Sequence, residues 1–207
     1  MKDIEQFSTE HLLQELLLRI EKGDRKSHNS FRHPHKEITL RSGLILTPDR
    51  VVRSWDELYS GYEWSDDKIK GMLTVFDGEP CDEMVVCKDI EFFSTCEHHI
   101  LPFFGRAHIA YIPDKDRVVG ISKLARLLEI HSRRLQIQER ICREVVKDLM
   151  KHLEPKGAVC VLEGVHFCMT ARGVNKQGST MVSAALDGVF KEDNKCRSEF
   201  YSLIGKG

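Results

Sequence analysis

The spacing of apolar residues predicts helices at the start, in the middle and at the end of the chain. Near the N-terminus, Ser8 or Thr9 can cap a helix whose leucines recur at helical spacing until Gly23. Residues 47–49 (TPD) form a second helix start, because proline suits the first helical position and an acid suits the first turn. Further helices are predicted from Ser122, which would cap the first of them, over residues 141–153 and around residues 198–204.

Between these helices, runs rich in β-branched and aromatic residues predict strands. The runs lie at residues 73–76, 84–93, 107–112, 158–162, 165–170 and 181–186. A turn at residues 113–116 (PDKD) predicts a hairpin over residues 106–120. Strands, then a helix pair, then strands again indicate an antiparallel α+β domain rather than a doubly wound parallel sheet.

The amino-acid composition of the chain changes near residue 42. Residues 24–41 hold five lysines or arginines and three histidines but few large apolar residues. We therefore expect an N-terminal helix and a basic, histidine-containing linker over residues 1–42, followed by one folded domain over residues 43–207. The histidines of such an exposed linker are expected to be solvated.

Composition narrows the class of protein. The chain has 207 residues, with 31 Lys and Arg against 32 Asp and Glu, so its net charge is −1. This balance gives no general basic field, and we expect no nucleic-acid partner. The sequence shows neither a secretion signal nor an apolar run of the ~20 residues that a membrane helix needs. We expect a cytoplasmic protein that makes no membrane contact.

Two clusters of cysteine and histidine indicate a metal site. The seven scattered cysteines argue against a disulfide framework and leave metal binding or catalysis open. Cys96 and His99 in residues 96–99 (CEHH) can reach one ion from a tight turn, and His166 and Cys168 would share one face of a strand. Thiolate and imidazole suit zinc, and three ligands leave a position for water, whereas four close the site. The surplus of histidines favours three ligands and two proton carriers; the alternative is that each residue packs separately.

Two helix starts carry candidates for binding an anion and a nucleobase. Ser122, Lys123 and Arg126 begin one helix, where free N–H groups and the positive end of the helix dipole favour an anion such as phosphate. The alternative is a solvated basic helix start. Gln138 and Glu139 begin the next helix, and an amide beside a carboxylate can hydrogen-bond the edge of a nucleobase. On an ordinary surface helix, such a pair faces water.

Several longer blocks together resemble type I GTP cyclohydrolase. They run in order from about residue 43 to the C-terminus: residues 47–51 (TPDRV), 94–99 (STCEHH), 107–113 (AHIAYIP), 119–126 (VGISKLAR), 133–140 (RRLQIQER), 166–173 (HFCMTARG), 177–180 (QGST) and 197–200 (RSEF). The resemblance implies the tunnelling fold, an antiparallel sheet with a helix pair on one face. It also implies a ring-shaped homo-oligomer, expected to be a decamer of two pentameric rings, with sites at subunit boundaries.

The resemblance further implies the reaction and the residues that perform it. GTP is hydrolysed at purine carbon 8, formate leaves, and the opened ribose rearranges to give 7,8-dihydroneopterin triphosphate, the first step of pterin or folate-type synthesis. By position in the matching blocks, the zinc ligands are Cys96, His99 and Cys168; the catalytic residues are His98, His166 and Ser122; and the substrate contacts are Arg50 from a neighbouring subunit, Lys123, Arg126, Gln138, Glu139 and Arg172. Asn175 stands where the family commonly has a basic residue, which would weaken phosphate affinity.

The chemistry of these side chains agrees with that reaction. Bound zinc lowers the pKa of its water to about 7. Protonation of purine nitrogen 7 makes carbon 8 a better electrophile, and His166 is the candidate acid because histidine titrates near pH 6.5. His98 would be a second proton carrier. Two alternatives stay open: a nitrile reductase of the same fold, which would lack the zinc run of residues 96–99, and a catalytically silent zinc protein that binds purine nucleotides.

Overall fold

The computed structural model describes residues 13–14, 42–76, 81–114 and 117–205. Its helices are α1 (Thr47–Leu58), α2 (Asp66–Met72), α3 (Ile121–Ser132), α4 (Gln138–Leu153), α5 (Phe167–Thr170), α6 (Val189–Glu192) and α7 (Asn194–Leu203), with 3₁₀ turns at Ser42–Leu44 and Ser60–Glu63. Its strands are β1 (Val75–Phe76), β2 (Val85–Cys96), β3 (Pro102–Ile112), β4 (Val118–Val119), β5 (Leu135–Gln136), β6 (Gly157–His166) and β7 (Met181–Gly188).

The chain divides into two compact units, Met1–Glu57 and Leu58–Gly207. In the first unit, the predicted helix start at residues 47–49 is confirmed: α1 begins at Thr47, and Asp49 in its first turn pairs with Arg53 at 2.6 Å. The predicted N-terminal helix and basic linker lie outside the described residues, apart from residues 13–14, which are helical. The domain boundary at residue 42 stays a prediction.

Five strands in the described part of the second unit form one sheet, in the order β5-β2-β3-β6-β7. Neighbouring strands are antiparallel, except that β5 and β2 run parallel. β1 and β4 form a separate two-stranded sheet. The predicted α+β class with an antiparallel sheet is therefore confirmed.

The central strands β3 and β6 are covered on both faces. Along β6, Ala158, Cys160 and Leu162 pack into a core with helices α3 and α4. The alternate residues Val159 and Val161 pack instead with apolar residues of α6 and α7. Since successive side chains of a strand point to opposite faces, the predicted helix pair covers one face and the short C-terminal helices cover the other. None of the helices in the described ranges is long and apolar enough to cross a membrane.

The structure corrects the predicted hairpin over residues 106–120. β3 pairs with β2 and β6 along its length, whereas β4 pairs with β1, so that Val119 lies opposite Val75. The hydroxyl of Tyr111 in β3 accepts a 3.0 Å hydrogen bond from the Val119 N–H. The turn residues predicted a reversal, but they do not specify the strand with which the second arm pairs.

Two further local predictions change at the ends of elements. Helix α3 begins after Gly120 with no side-chain cap, so Ser122 lies inside its first turn and does not cap it. The predicted strand at residues 165–170 is wrong, because β6 ends at His166 and a helical turn follows. The predicted helices over residues 141–153 and 198–204 are confirmed, with earlier starts at Gln138 and Asn194.

A buried ionic group joins α3 to α4. His131 is 3% exposed, and its Nε2 lies 2.8 Å from Oδ2 of Asp148 while its Nδ1 lies 3.2 Å from Oε2 of Glu144. Burial alone would lower the pKa of His131, but the two carboxylates outweigh it and raise that pKa above the usual 6.5. Burial alone would raise the pKa of Glu144, but the bonds from His131 and Gln136 lower it.

We expect this group to make stability depend on pH in both directions. A raised His131 pKa contributes stability that is complete below pH ~6.5 and is lost as the pH rises through the folded value; the lowered Glu144 pKa contributes stability that is lost as the pH falls below ~4.5. Urea unfolding at fixed protein concentration measures this. The His131→Gln variant should have a lower free energy of unfolding than the wild type near neutral pH. This free energy should no longer fall as the pH rises above ~6.5. A wild type that becomes more stable from pH 6.5 to 9 would contradict the assignment.

Candidate active site

A tight turn at the end of β2 carries the first cluster of metal-binding candidates. Cys96 is the last residue of β2, and its N–H donates a 2.9 Å hydrogen bond to the Leu101 carbonyl. The Ile100 N–H donates to the Cys96 carbonyl at 2.9 Å, and Ile100 has a left-handed backbone with φ 53°. Because the chain reverses so sharply, His98 and His99 stay close to the Cys96 thiol.

The structure brings Cys96, His99 and Cys168 together. One ligand atom from each, two sulfurs and a ring nitrogen, lie within 4.8 Å of one another. Nδ1 of His98 and Nδ1 of His99 are both 3.8 Å from the Cys96 sulfur, but of the described histidines only His99 belongs to the group with Cys168. Two thiols and an imidazole at this spacing fit a zinc ion, whose bonds to sulfur and nitrogen are about 2.0–2.3 Å long.

Strand β3 explains how two distant cysteines meet. It runs antiparallel to both β2 and β6, so the C-terminal ends of those two strands lie on either side of its N-terminal end. Phe103 lies opposite Ser94 on one side and His166 on the other. Cys96 follows Ser94 by two positions, and Cys168 follows His166 by two positions. Cys96, the last residue of β2, and Cys168, two residues beyond β6, therefore lie at the same end of the sheet.

Cys168 lies in the helical turn α5, so the prediction that it shares a strand face with His166 is wrong. The ladder between β3 and β6 ends at His166, beside the first residues of β3, and no described strand pairs with the residues that follow. The chain then forms a turn of helix, which satisfies its own backbone groups. Burial raises the pKa of the Cys168 thiol, the neighbouring Cys96 thiol raises it further, and Arg172 opposes both. Burial and the neighbouring thiol thus favour the protonated form of Cys168, whereas a bound cation would favour the thiolates.

Arg140, at the start of α4, holds the side chain of Glu97 within the turn. It donates hydrogen bonds of 2.6 and 3.1 Å to the two Glu97 carboxylate oxygens and one of 3.3 Å to Oε1 of Gln136. These bonds lower the pKa of Glu97. The Glu97 N–H also donates to the Gln136 carbonyl at 3.0 Å. Backbone and side chain of Glu97 are thus both fixed to the segment that joins β5 to α4.

His166 is held on two sides at the end of β6. Its ring stacks on Phe103, with the ring centroids 4.5 Å apart and the planes 7° from parallel. Its Nε2 lies 2.9 Å from Oε1 of Gln138. Burial lowers the pKa of His166, and the negative charge of Glu139 partly opposes this.

Gln138 and Glu139, predicted to recognise a nucleobase together, have different surroundings. Glu139 is exposed on the first turn of α4, so its carboxylate is available to a ligand. Gln138 is only 1% exposed, and both ends of its amide bind protein groups. The role of Gln138 as a direct nucleobase contact stays a prediction.

Of the residues predicted to contact the ribose and the triphosphate, Arg172 lies beside the metal candidates, and the others lie on α3 and α1. Nη1 of Arg172 lies 3.2 Å from Nε2 of His99, so Arg172 borders the metal candidates. Ser122, Lys123 and Arg126 share the first turns of α3, and no hydrogen bond or ion pair among the described residues joins them to Cys96, His99 or Cys168. Arg50 is exposed on α1, in the other unit.

Two residues of this site were missed from the sequence. Arg140 had no local signal, because the Glu97 carboxylate that it binds lies 43 residues earlier in the chain. Phe103 had none, because its stacking on His166 depends on the register between β3 and β6. Register between distant strands cannot be deduced from local composition.

Comparison with known proteins identifies the family. A sequence model described as GTP cyclohydrolase I matches residues 33–205. The chain belongs to the GTP cyclohydrolase I family. The resemblance found in the motifs is therefore confirmed, and so is the prediction that the chain is an enzyme of this family.

Three relatives named GTP cyclohydrolase 1 match this chain in sequence over most of their own length. GTP cyclohydrolase 1 of Wolinella succinogenes is 58% identical over 79% of this chain and 86% of its own. The proteins of the same name from Synechococcus sp. strain JA-3-3Ab and Campylobacter jejuni serotype O:23/36 are 52% and 48% identical over 79% of this chain, and over 70% and 85% of theirs. Among solved structures, archaeosine synthase QueF-Like in the apo form has a TM-score of 0.43 and 14% identity, over 54% of this chain and 97% of that chain.

We expect Arg140→Ala to weaken metal binding by about 10- to 100-fold, since it removes the bonds that orient the turn between two candidate ligands. Competition with a colorimetric chelator measures the affinity for zinc. Arg143→Ala is the matched control, because Arg143 is an exposed residue of the same helix. Equal zinc affinities for wild type and Arg140→Ala would show that the Glu97 bonds do not orient the ligands.

Proposed function

We propose that this chain catalyses the zinc-dependent hydrolysis of GTP at purine carbon 8, with release of formate and rearrangement to 7,8-dihydroneopterin triphosphate. The observation that carries the proposal is the meeting of Cys96, His99 and Cys168, because three such ligands leave one tetrahedral position free for chemistry. The relatives named GTP cyclohydrolase 1 support the choice of substrate and reaction.

Cys96, His99 and Cys168 would hold the zinc ion. When bound, zinc would supply a Lewis acid that activates water for attack on the purine. The two cysteines would bind as thiolates, the form that a nearby cation favours. Glu97 and Arg140 would keep the turn in place while the ion is bound, since their hydrogen bonds fix the turn from outside the ligand set.

The exposed carboxylate of Glu139 would recognise the guanine. A carboxylate only accepts hydrogen bonds, and the guanine edge offers N–H donors on the ring and on the exocyclic amino group. Adenine presents an unprotonated ring nitrogen at the corresponding place, so Glu139 would discriminate between the two bases. Glu139 directly follows Gln138, whose Oε1 lies 2.9 Å from Nε2 of His166, and this supports a position for the purine near both Glu139 and His166.

Basic residues would hold the triphosphate and ribose. Arg172 borders the metal candidates and would contact the substrate from within the same subunit. Lys123 and Arg126 share the first turns of α3 with Ser122 and would offer charge and N–H groups to phosphate. We propose that Arg50 reaches the site from a neighbouring subunit.

Two histidines would carry protons during the reaction. His166 would protonate purine nitrogen 7, because its ring is held rigidly at the edge of the sheet beside Glu139. His98 would be the second carrier, since its ring is 64% exposed and its Nδ1 lies 3.8 Å from the Cys96 sulfur. Ser122 would act later, when the opened ribose rearranges.

The proposed function also implies an oligomeric state, a pathway and a cellular location. We propose a tunnelling fold assembled as a homodecamer of two pentameric rings, in which neighbouring subunits complete each site. The product would enter pterin or folate-type synthesis in the cytoplasm. Sedimentation velocity of the purified chain tests the assembly directly.

We expect the purified, zinc-loaded chain to release formate from GTP and to give an oxidisable, fluorescent pterin. Cys168→Ser keeps the size of the side chain but replaces a soft ligand, so it should weaken zinc binding by at least about 10-fold and lower the rate with it. Cys196→Ser, on α7, is the matched control.

Zinc content and formate release together separate the proposed enzyme from a wrong ligand set and from a silent binding protein. Full zinc content and full rate in Cys168→Ser would show that the ligand set is wrong. Tight zinc and GTP binding without any formate from the wild type would leave a catalytically silent protein that binds purine nucleotides.

We expect GTP to be turned over better than ATP by a factor on the order of 10⁴, because a site built to accept hydrogen bonds from a base rejects one that leaves it unpaired. Glu139→Ala should remove most of this preference by lowering kcat/KM for GTP. Glu199→Ala, which removes an exposed carboxylate from α7, is the control. Equal kcat/KM values of the wild type for GTP and ATP would rule out the role given to Glu139.

A further inference from the structure

The amide of Gln138 is fully engaged inside the protein. Its Nε2 lies 3.1 Å from the Leu162 carbonyl, 3.0 Å from the Met181 carbonyl and 3.0 Å from the Ser183 hydroxyl. Its Oε1 lies 2.9 Å from Nε2 of His166. With 1% of the residue exposed, no polar group of this side chain is left to meet a substrate.

The orientation of that amide follows from its partners. Backbone carbonyls only accept hydrogen bonds, so the end that faces Leu162 and Met181 must be the NH₂ group. The opposite end is therefore the carbonyl oxygen, which also only accepts. Nε2 of His166 must then be the donor, and it carries a hydrogen.

We propose that Gln138 is a positioning residue whose side chain acts on the reaction through His166 and does not touch the purine. By accepting from Nε2–H, it keeps the proton of the neutral ring on that nitrogen, which leaves Nδ1 as the nitrogen that exchanges protons with the substrate. Phe103 fixes the plane of the ring, and Gln138 fixes its rotation within that plane.

This inference rests on the proposed function, and it makes the proton movement simple. In the imidazolium form both ring nitrogens carry hydrogen. The Nδ1–H bond breaks as the purine nitrogen takes the proton, and the electron pair stays on Nδ1. The neutral ring that remains already has its hydrogen on Nε2, against Gln138, so no second proton shift is needed before the ring can accept a proton again.

The backbone beside Gln138 is shaped to admit its side chain. Gly164 of β6 lies against the amide, and a Cβ at this position would overlap the Gln138 Oε1. Any larger residue would push the acceptor away from His166. Gly164 thus offers a second way to disturb the same contact, without changing Gln138 or His166.

The spectroscopic test uses the zinc-loaded chain labelled with ¹⁵N and ¹³C histidine, in magic-angle-spinning spectra that identify the tautomer of each ring. The chain has ten histidines, and the His166 signal is assigned by its loss in His166→Asn. We expect neutral His166 in the wild type to carry hydrogen on Nε2 alone. A ring protonated on Nδ1 alone would overturn the inference, whatever the variants do.

The kinetic test compares two variants that should act alike. Gln138→Leu removes the acceptor, and Gly164→Ala displaces it. Each should lower kcat for GTP by about 10- to 100-fold, leave KM within about threefold, and give a mixture of His166 tautomers. Gly71→Ala is the matched control, because a Cβ at Gly71 meets nothing within 4 Å.

The outcomes distinguish a positioning role from direct binding. A rise in KM with kcat unchanged in Gln138→Leu would mean that Gln138 contacts the guanine. Unchanged kcat and an unchanged tautomer in both variants would also overturn the inference. If Gln138→Leu does not fold, Gly164→Ala and the wild-type spectrum decide. A wild type that releases no formate from GTP contradicts the proposed function, while the tautomer still tests the role of Gln138.

Discussion

The site depends on one constraint, the antiparallel pairing of β3 with both of its neighbours. Because β2 and β6 each run opposite to β3, their C-terminal ends meet on either side of its first residues, and Phe103 is flanked by Ser94 and His166. A slip of one residue in either ladder would turn every side chain of the slipped strand to the opposite face. The burial of both faces of β6 prevents such a slip, since each face has its own apolar core. Packing on both faces of β6 therefore helps to hold the two cysteines at the same end of the sheet.

Sequence reasoning reached those parts of the site that are local in the chain. Cys96 and His99 were predicted to meet because they are three residues apart, and the turn brings their ligand atoms together. Residue types suggested that the two clusters share a metal site, but the choice of Cys168 as the third ligand came only from the resemblance to a family, since no local pattern specifies the register of distant strands. The strand predicted through Cys168 failed because composition does not show where the partner strand ends.

The same limit explains the errors in the fold. Apolar periodicity predicted the helices that pack on the sheet, because the pattern of a helix is complete within its own residues. The hairpin failed because the partner of β4 is β1, which precedes β3 by many residues. Glu97 forms a polar group with Gln136 and Arg140, which lie about 40 residues later in the chain, and the parallel pairing of β5 with β2 brings these two segments together.

Two adjacent residues at the start of α4 show how one helix end can serve two purposes. Successive residues of an α-helix point about 100° apart, so a helix that packs against a sheet can bury one of them and expose the next. Gln138 is buried and binds groups of β6 and β7, whereas Glu139 is exposed. Both act on His166, the first by a hydrogen bond and the second by its charge. Because α4 is anchored along its length by buried apolar residues, neither can move without the other, and the orientation of the histidine is tied to the position of the carboxylate.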